Sequence, residues 1–411
     1  MNYNNIGRCL LLSLIVSWFF FTACNKVQNF IGPVSTDQTK PGPVTNIKVS
    51  NFNGGAYITY DLPKSDNILY VQADYTINNK TGARLQKKSS YFSDTLMVNG
   101  FAQSQDYKVA LKVVSRANVE SDSVMITVHP DTPPYLLVAQ TLSLSPDFSG
   151  VRVLGTNTTQ QNVGVVLLYN DPTYKKYTIR TQSYTNFTAV NFASRGFDTL
   201  AKQMAVYATD PWGNSSDTLY NTIYPLYETQ LDKGKYFVYN LPSDSPIGFG
   251  WVTRNLFDNN IGTGWHTPQP TAVLPPVCTL GLGTSAALSR FLLWQRGGSY
   301  YWDHGNPKVF TVWGSNKVQP GDFQPPMYAD VGAVIGDWVN IGNFNFPYPP
   351  SGLPPKQASP TDKAWSDAGV EFDIPFGAPK VRFVRIAVPQ NWDGSNNYAH
   401  IMELTFFGDP R

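Results

Sequence analysis

Tyr107-Lys108-Val109-Ala110-Leu111-Lys112-Val113-Val114 decides how the first half of the chain reads. Apolar and polar side chains alternate along it, the period-two signature of a strand with one buried face. Residues 46–49, 56–60, 70–75 and 124–128 are similar β-branched or aromatic runs. Gly, Pro, Asn and Asp separate them at the spacing of a β-sandwich. No stretch sustains apolar residues at a 3.6-residue period, so the core is expected to be all-β.

The pattern then repeats. Tyr107-Lys108-Val109-Ala110-Leu111, residues 116–121 and His129-Pro130 are echoed by Gln203-Met204-Ala205-Val206-Tyr207, residues 210–215 and Tyr224-Pro225. The offset is about 94 residues, the length of one immunoglobulin-like domain. The opening Pro41-Gly42-Pro43-Val44, the Tyr-x-Val-x-Leu strand and the turn Asp210-Pro211-Trp212-Gly213-Asn214-Ser215 resemble fibronectin type III domains. Neither block holds a cluster of acids, His or Cys, so a spacing role is expected.

The texture changes after Asp232. Seven of the ten Trp lie from Trp265 onward, with three of the four His. Residues 277–282, 289–295, 308–313, 381–388 and 400–407 read as strands, and alternation within 309–313 and 400–407 suits a jelly roll. The motifs come in a definite order. Asn255-Leu256-Phe257-Asp258-Asn259-Asn260-Ile261-Gly262-Thr263-Gly264-Trp265-His266-Thr267 is first, followed by Leu280-Gly281-Leu282-Gly283. Next are Phe291-Leu292-Leu293-Trp294-Gln295-Arg296 and Phe310-Thr311-Val312-Trp313-Gly314-Ser315. Asp337-Trp338-Val339-Asn340-Ile341-Gly342, Val381-Arg382-Phe383-Val384-Arg385-Ile386 and Met402-Glu403-Leu404-Thr405-Phe406-Phe407-Gly408 complete the series. This order resembles a discoidin domain (coagulation-factor C-type), the galactose-binding-like fold of family 32 carbohydrate-binding modules. The whole chain is similar to Bacteroidetes lipoproteins of polysaccharide-utilisation loci, with two fibronectin-like domains and then a discoidin-like one.

That resemblance implies a structural Ca2+. Asp258-Asn259-Asn260-Ile261-Gly262-Thr263 matches the family's Asp-Gly-Asn-x-x-Thr loop, with Asn259 in place of Gly. Asp258 and Thr263 would give side-chain oxygens, Asn255 and Asn260 carbonyls, and Glu403 a carboxylate from the last strand. The same residues also read as an Asn-rich turn without metal. For saccharide, the galactose-binding members imply His266, Arg296, Asn306 and Trp392. Trp302 and His304, in the loop Tyr300-Tyr301-Trp302-Asp303-His304, and Asn391 beside Trp392 complete the candidate set. Trp302 and Trp392 have polar and Gly neighbours and are expected to be exposed loop aromatics. Trp265, Trp294, Trp313 and Trp338 stand in strand contexts and are expected in the core. His266 also reads as a buried hydrogen-bonding residue, and Arg296 as a partner of Asp303. Pro268-Gln269-Pro270 stands where many binders place an aromatic, and the 297–306 loop is long, so the galactose mode need not transfer.

At the N-terminus, residues 10–21 are an apolar run of 12, whereas a membrane-spanning helix takes about 20. With Phe21-Thr22-Ala23-Cys24 this reads as a signal peptide resembling a bacterial lipobox, with Cys24 acylated. An ordinary secretory signal with a chance cysteine is the alternative. The chain therefore divides into a signal peptide (1–23), a tether (24–42), two fibronectin III-like sandwiches (43–131 and 132–230) and a discoidin-like jelly roll (231–411). An outer-membrane lipoprotein on the cell surface or the periplasmic face is implied, since Asn25-Lys26 replaces the acidic residues common after surface-exported lipid anchors.

Composition narrows the function further. The 31 Lys+Arg and 29 Asp+Glu give a net charge of +2, too balanced for a non-specific nucleic-acid binder. At 15% charged and 14% aromatic the chain is built to fold. Three cysteines exclude a disulfide scaffold, and Cys278 reads as a small core residue. No spacing singles out a carboxylate pair for glycoside hydrolysis, and no Gly-x-Ser-x-Gly or His-Glu-x-x-His occurs. A non-catalytic, membrane-anchored glycan binder is the expectation, with oligo- or polysaccharide as ligand and an outer-membrane transporter complex as partner. An accessory lipoprotein that grips another protein is the alternative.

Overall fold

The computed structural model describes residues 33–411. The expected signal peptide, Cys24 and the tether as far as residue 32 lie outside the described residues. Within them, two short α-helices (Pro134–Ala139 and Pro360–Asp367) and three short 3-10 helices interrupt a fold made of strands. No helix among the described residues is long and apolar enough to cross a membrane.

In the first sandwich, Thr45–Phe52, Gly55–Asp61 and Thr95–Asn99 form one sheet. It faces Ala83–Ser90, Ile68–Asn78, Tyr107–Ser115 and Val124–Val128, paired antiparallel in that order. Along Tyr107–Ser115 the inward Val109, Leu111 and Val113 are fully buried against Ile58, Val71 and Val98. The second sandwich repeats this strand order. Ser143–Asp147, Gly150–Thr156 and Ala189–Arg195 form one layer. Lys176–Thr185, Val163–Asp171, Lys202–Thr209 and Leu219–Ile223 form the other. Here Met204, Val206 and Ala208 of Lys202–Thr209 stand where Val109, Leu111 and Val113 stand in the first. A three-plus-four antiparallel arrangement of seven strands, used twice, is the fibronectin III-like sandwich.

The third unit is organised by one 18-residue strand, Val277–Trp294. The two runs expected at 277–282 and 289–295 are halves of this single strand. Its first half pairs with Val381–Asn391 and its second with Glu403–Asp409 and Val370–Asp373, so it belongs to both layers. The change of partner falls at a register shift between Gly281 and Ala286. Gly283 sits there at φ +71°, where a Cβ would stand 2.3 Å from the Lys235 carbonyl oxygen. Glycines that punctuate the sequence like a turn here allow a bend without a break. Phe291, Phe310, Val312, Ile386, Leu404 and Phe406 fill the space between the layers, and Cys278 is buried among them as expected. Trp265, Trp313 and Trp338 are buried too, while Trp294 is half-buried with its indole N–H on the Asp367 carbonyl. Strand His400–Ile401 pairs with Trp265–His266 at one end of the barrel, and that end carries the site.

Candidate functional site

Two short strands place two imidazoles side by side. In the ladder between Trp265–His266 and His400–Ile401, His266 is directly opposite His400, and the ring centroids are 4.9 Å apart. Nδ1–H of His266 donates to the Thr267 carbonyl oxygen at 2.6 Å, which leaves Nε2 as an acceptor. His400 is 1% exposed, and neither of its ring nitrogens has a hydrogen-bond partner. Burial pushes both imidazoles below their usual range, His400 furthest, and the Arg296 guanidinium adds to the effect. Both rings are therefore neutral at pH 7.

Arg296 follows the end of the long strand. Its guanidinium lies over two rings, 3.8 Å from the Tyr300 centroid and 4.8 Å from Trp251. Among the described residues it makes no ion pair, so the expected bond to Asp303 is not formed. Asp303 is held instead by Lys356 at 3.1 Å and His304 at 3.3 Å. Phe249, Trp251, His266, Gln269, Arg296, Tyr300, His304, Tyr398 and His400 together line a concavity of about 310 Å3. Its lining contains no carboxylate. A larger cleft, about 490 Å3, lies between the two sandwiches around Trp212 and several amides. Its one ionisable side chain, Asp210, is occupied in capping its own turn at Trp212 and Asn214. Of these two, the concavity in the third unit gathers aromatic and planar polar side chains in one opening.

The structure brings His266, Arg296 and His304 of the expected ligand set into this concavity and places the others behind it. Trp302 was expected at the surface and is fully buried. Its indole N–H donates to the Pro347 carbonyl at 2.8 Å, and its ring stacks on Trp365. Trp302 and His304 have φ of 49° and 51°. Two left-handed residues so close together turn the indole inward and leave Tyr300 and His304 at the rim. Asn306 is also fully buried: its Oδ1 accepts from the Arg296 N–H, and its Nδ2 donates to the Arg296 and Tyr300 carbonyls. Asn391 is buried in the same manner, donating to the Tyr398 carbonyl and Ser395 Oγ. These two asparagines brace their loops. Trp392 is half-buried against Tyr348 and Lys308, outside the lining of the concavity.

Sequence reasoning missed Phe249, Trp251, Gln269, Tyr398 and His400 as lining residues. Phe249 and Trp251 flank Gly250, the same pattern of aromatics beside Gly that drew attention to Trp302. Phe249 is 71% exposed, so at this position the pattern marks a surface aromatic.

Of the residues expected to hold Ca2+, Asp258, Asn260 and Thr263 share one closed loop, and the Glu403 carboxylate lies against Asp258. Asp258 Oδ1 accepts from the Asn260 N–H and Oδ2 from the Thr263 hydroxyl, closing the loop on itself. Asn255 donates to the Gly264 carbonyl. Glu403 is buried, and its Oε1 lies 2.5 Å from the Lys233 ammonium, itself over the Trp294 ring. Lys233 thus takes one oxygen of Glu403, while Oε2 is buried beside Asp258 with no hydrogen-bond partner. Among the described residues, no group of three or more His, Cys, Asp or Glu is placed to share one ion.

Three sequence families, each described as a domain of unknown function, match the chain. They are DUF4959 over residues 41–130, DUF5126 over 131–234 and DUF5000 over 254–408. A search of curated proteins finds no match. Among solved structures, the chain is similar to the SusE-like protein BT2857, at 25% identity and a TM-score of 0.41, over 68% of this chain and 100% of that one. It is also similar to an F5/8 type C domain from Bacteroides fragilis, at 14% identity and a TM-score of 0.28, over 45% and 98%. A two-domain fibronectin type III segment of chicken tenascin matches at 10% identity and a TM-score of 0.22, over 44% and 99%.

Proposed function

We propose that this chain is a non-catalytic glycan-binding lipoprotein, and that its third unit captures a saccharide in the concavity around Arg296. The two sandwiches set the reach of that unit from a membrane to which an acylated Cys24 ties the chain. Recognition of a sugar needs an aromatic face for the C–H surface of the ring and planar donors and acceptors for its hydroxyls. Phe249, Trp251 and Tyr300 supply the first; Arg296, Gln269 and the imidazoles supply the second. The observation that carries the proposal is this grouping of aromatic and planar polar side chains in one opening whose lining lacks Asp and Glu. Hydrolysis of a glycosidic bond needs two carboxylates across the substrate. The nearest, Asp303 and Asp393, are held by Lys356 and by the Tyr398 hydroxyl.

Isothermal titration of the full chain against a broad glycan panel tests this. Binding by at least one glycan is expected, and Trp251→Ala should weaken it about tenfold, the scale of one aromatic contact. Silence across the panel defeats the proposal.

An accessory role in an outer-membrane transporter complex is the second proposal, and one observation favours it. The four-stranded face of the second sandwich and its adjoining turns expose Tyr174, Ile179, Tyr184, Phe187 and Tyr220, each more than half exposed. Exposed large apolar side chains along one sheet are the kind of surface that partner proteins cover. A stoichiometric partner recovered from solubilised outer membrane, and lost with Tyr184→Ser/Phe187→Ser, would establish that role.

A further inference from the structure

We infer that the saccharide carries an acidic group, a carboxylate or a sulfate, that pairs with Arg296. The inference rests on the glycan reading of the concavity and adds the sign of the ligand's charge. Four observations lead to it.

The guanidinium of Arg296 lies over both the Trp251 and the Tyr300 ring, which restrain it. None of its side-chain N–H groups donates to a protein acceptor among the described residues. Its neighbours in the lining are His266, His304 and His400, with no carboxylate among them. The two acids just outside are committed, Asp303 to Lys356 and His304 and Asp393 to the Tyr398 hydroxyl and the Ser395 N–H.

A restrained, planar fork of donors with an uncompensated charge is the geometry that takes an oxyanion through two parallel hydrogen bonds. A neutral sugar seated there would strip water from the guanidinium and return only hydroxyl contacts, leaving the charge unmatched. A uronate or sulfate ester returns the counter-charge. Nε2 of His266, an acceptor, lies beside it for a ring hydroxyl.

The test is a titration of the full chain with matched pairs of probes at low and at high salt. Oligogalacturonate is compared with its methyl ester, and a sulfated galactan oligosaccharide with its desulfated form. In at least one pair the anionic member should bind about 10–100-fold more tightly than its neutral counterpart, the scale of a charge-assisted hydrogen-bonded pair, and salt should weaken it. The pair that shows the preference tells carboxylate from sulfate. Arg296→Gln should abolish the preference. Arg296→Lys should keep part of it, since the charge remains and the fork does not; near-ultraviolet circular dichroism checks that both variants are folded. Equal binding of anionic and neutral members overturns the inference and leaves the glycan proposal standing. No binding of either anionic probe also overturns it, and if the neutral panel is silent as well, both proposals fall.

Discussion

His400 has no hydrogen bond at either ring nitrogen and is almost wholly enclosed, so the folded chain holds it as a neutral base. Burial is the main cause, and His266, Arg296 and His304 around it act in the same direction. Once unfolded, the imidazole titrates at about 6.5. Below that pH the unfolded chain takes up a proton that the folded chain refuses, so stability is complete above pH 6.5 and declines on acidification. The thermal midpoint should fall between pH 7 and pH 5, and His400→Gln should flatten that fall; an unchanged slope in the variant would contradict this assignment. Lys233 poses the opposite case, a buried charge with its counter-charge in contact. Lys233→Met leaves Glu403 alone in the interior and should cost about 3–5 kcal/mol in urea unfolding. Adding Glu403→Leu should recover much of that loss, because well-packed apolar replacements of a buried pair are often near neutral. Melting temperatures of the natural chain in calcium and in EDTA test whether the Asp258 loop and Glu403 hold an ion. A metal at 100 times its dissociation constant would add about 2.7 kcal/mol, so a clear rise with calcium would show that the loop does bind the ion.

At the scale of elements, the loop from Gly297 to Asn306 decides what the concavity presents. Trp302 fastens its middle to the core, Gln295 accepts from the Trp302 N–H, and Asn306 ties its two ends together. Asn306→Ala would leave one N–H and two carbonyls without their partner, a loss of about 2–3 kcal/mol. Glycan affinity should fall with it, since Tyr300 and His304 stand on the braced segment; retained affinity at reduced stability would show that the rim is positioned by something else. This loop also shows where sequence reading stops. The polar flanks of Trp302 suggested exposure, but side-chain direction there is set by two left-handed residues, which no composition pattern encodes. Asn306 and Asn391 have the residue type of a sugar contact, and only the backbone around them shows that their amides are saturated. His266 and Arg296 were legible because the order of motifs resembles discoidin domains, whose galactose-binding members carry these residue types at comparable positions. His400 lay in a run recognised as a strand, yet its role depends on the cross-strand partner, a pairing between residues far apart in the chain.

Across the whole molecule the strand periodicity was sufficient: the echo between the two halves of the N-terminal region corresponds to the same seven-strand order used twice. What the echo did not disclose is how the units join. Trp212, in the turn noted for its resemblance to fibronectin domains, packs on Gly100 of the first sandwich; a Cβ there would stand 3.0 Å from the indole. Asn214 donates to the Gly100 carbonyl and accepts from Asn78. At the other junction Arg195 of the second sandwich reaches Asp373 at 2.7 Å, and Arg290 of the third unit holds Glu228 and Glu371. Side chains therefore bridge both boundaries, which suits a chain that carries its binding end at a set distance. A crystal structure of the full chain with the tightest glycan of the panel tests the central proposal most directly. A sugar ring lying on Phe249, Trp251 or Tyr300, with an oxygen in hydrogen-bond reach of Arg296, is the expected result. A glycan seated in the cleft beside Trp212, with the opening at His266 and His400 left to solvent, would contradict it.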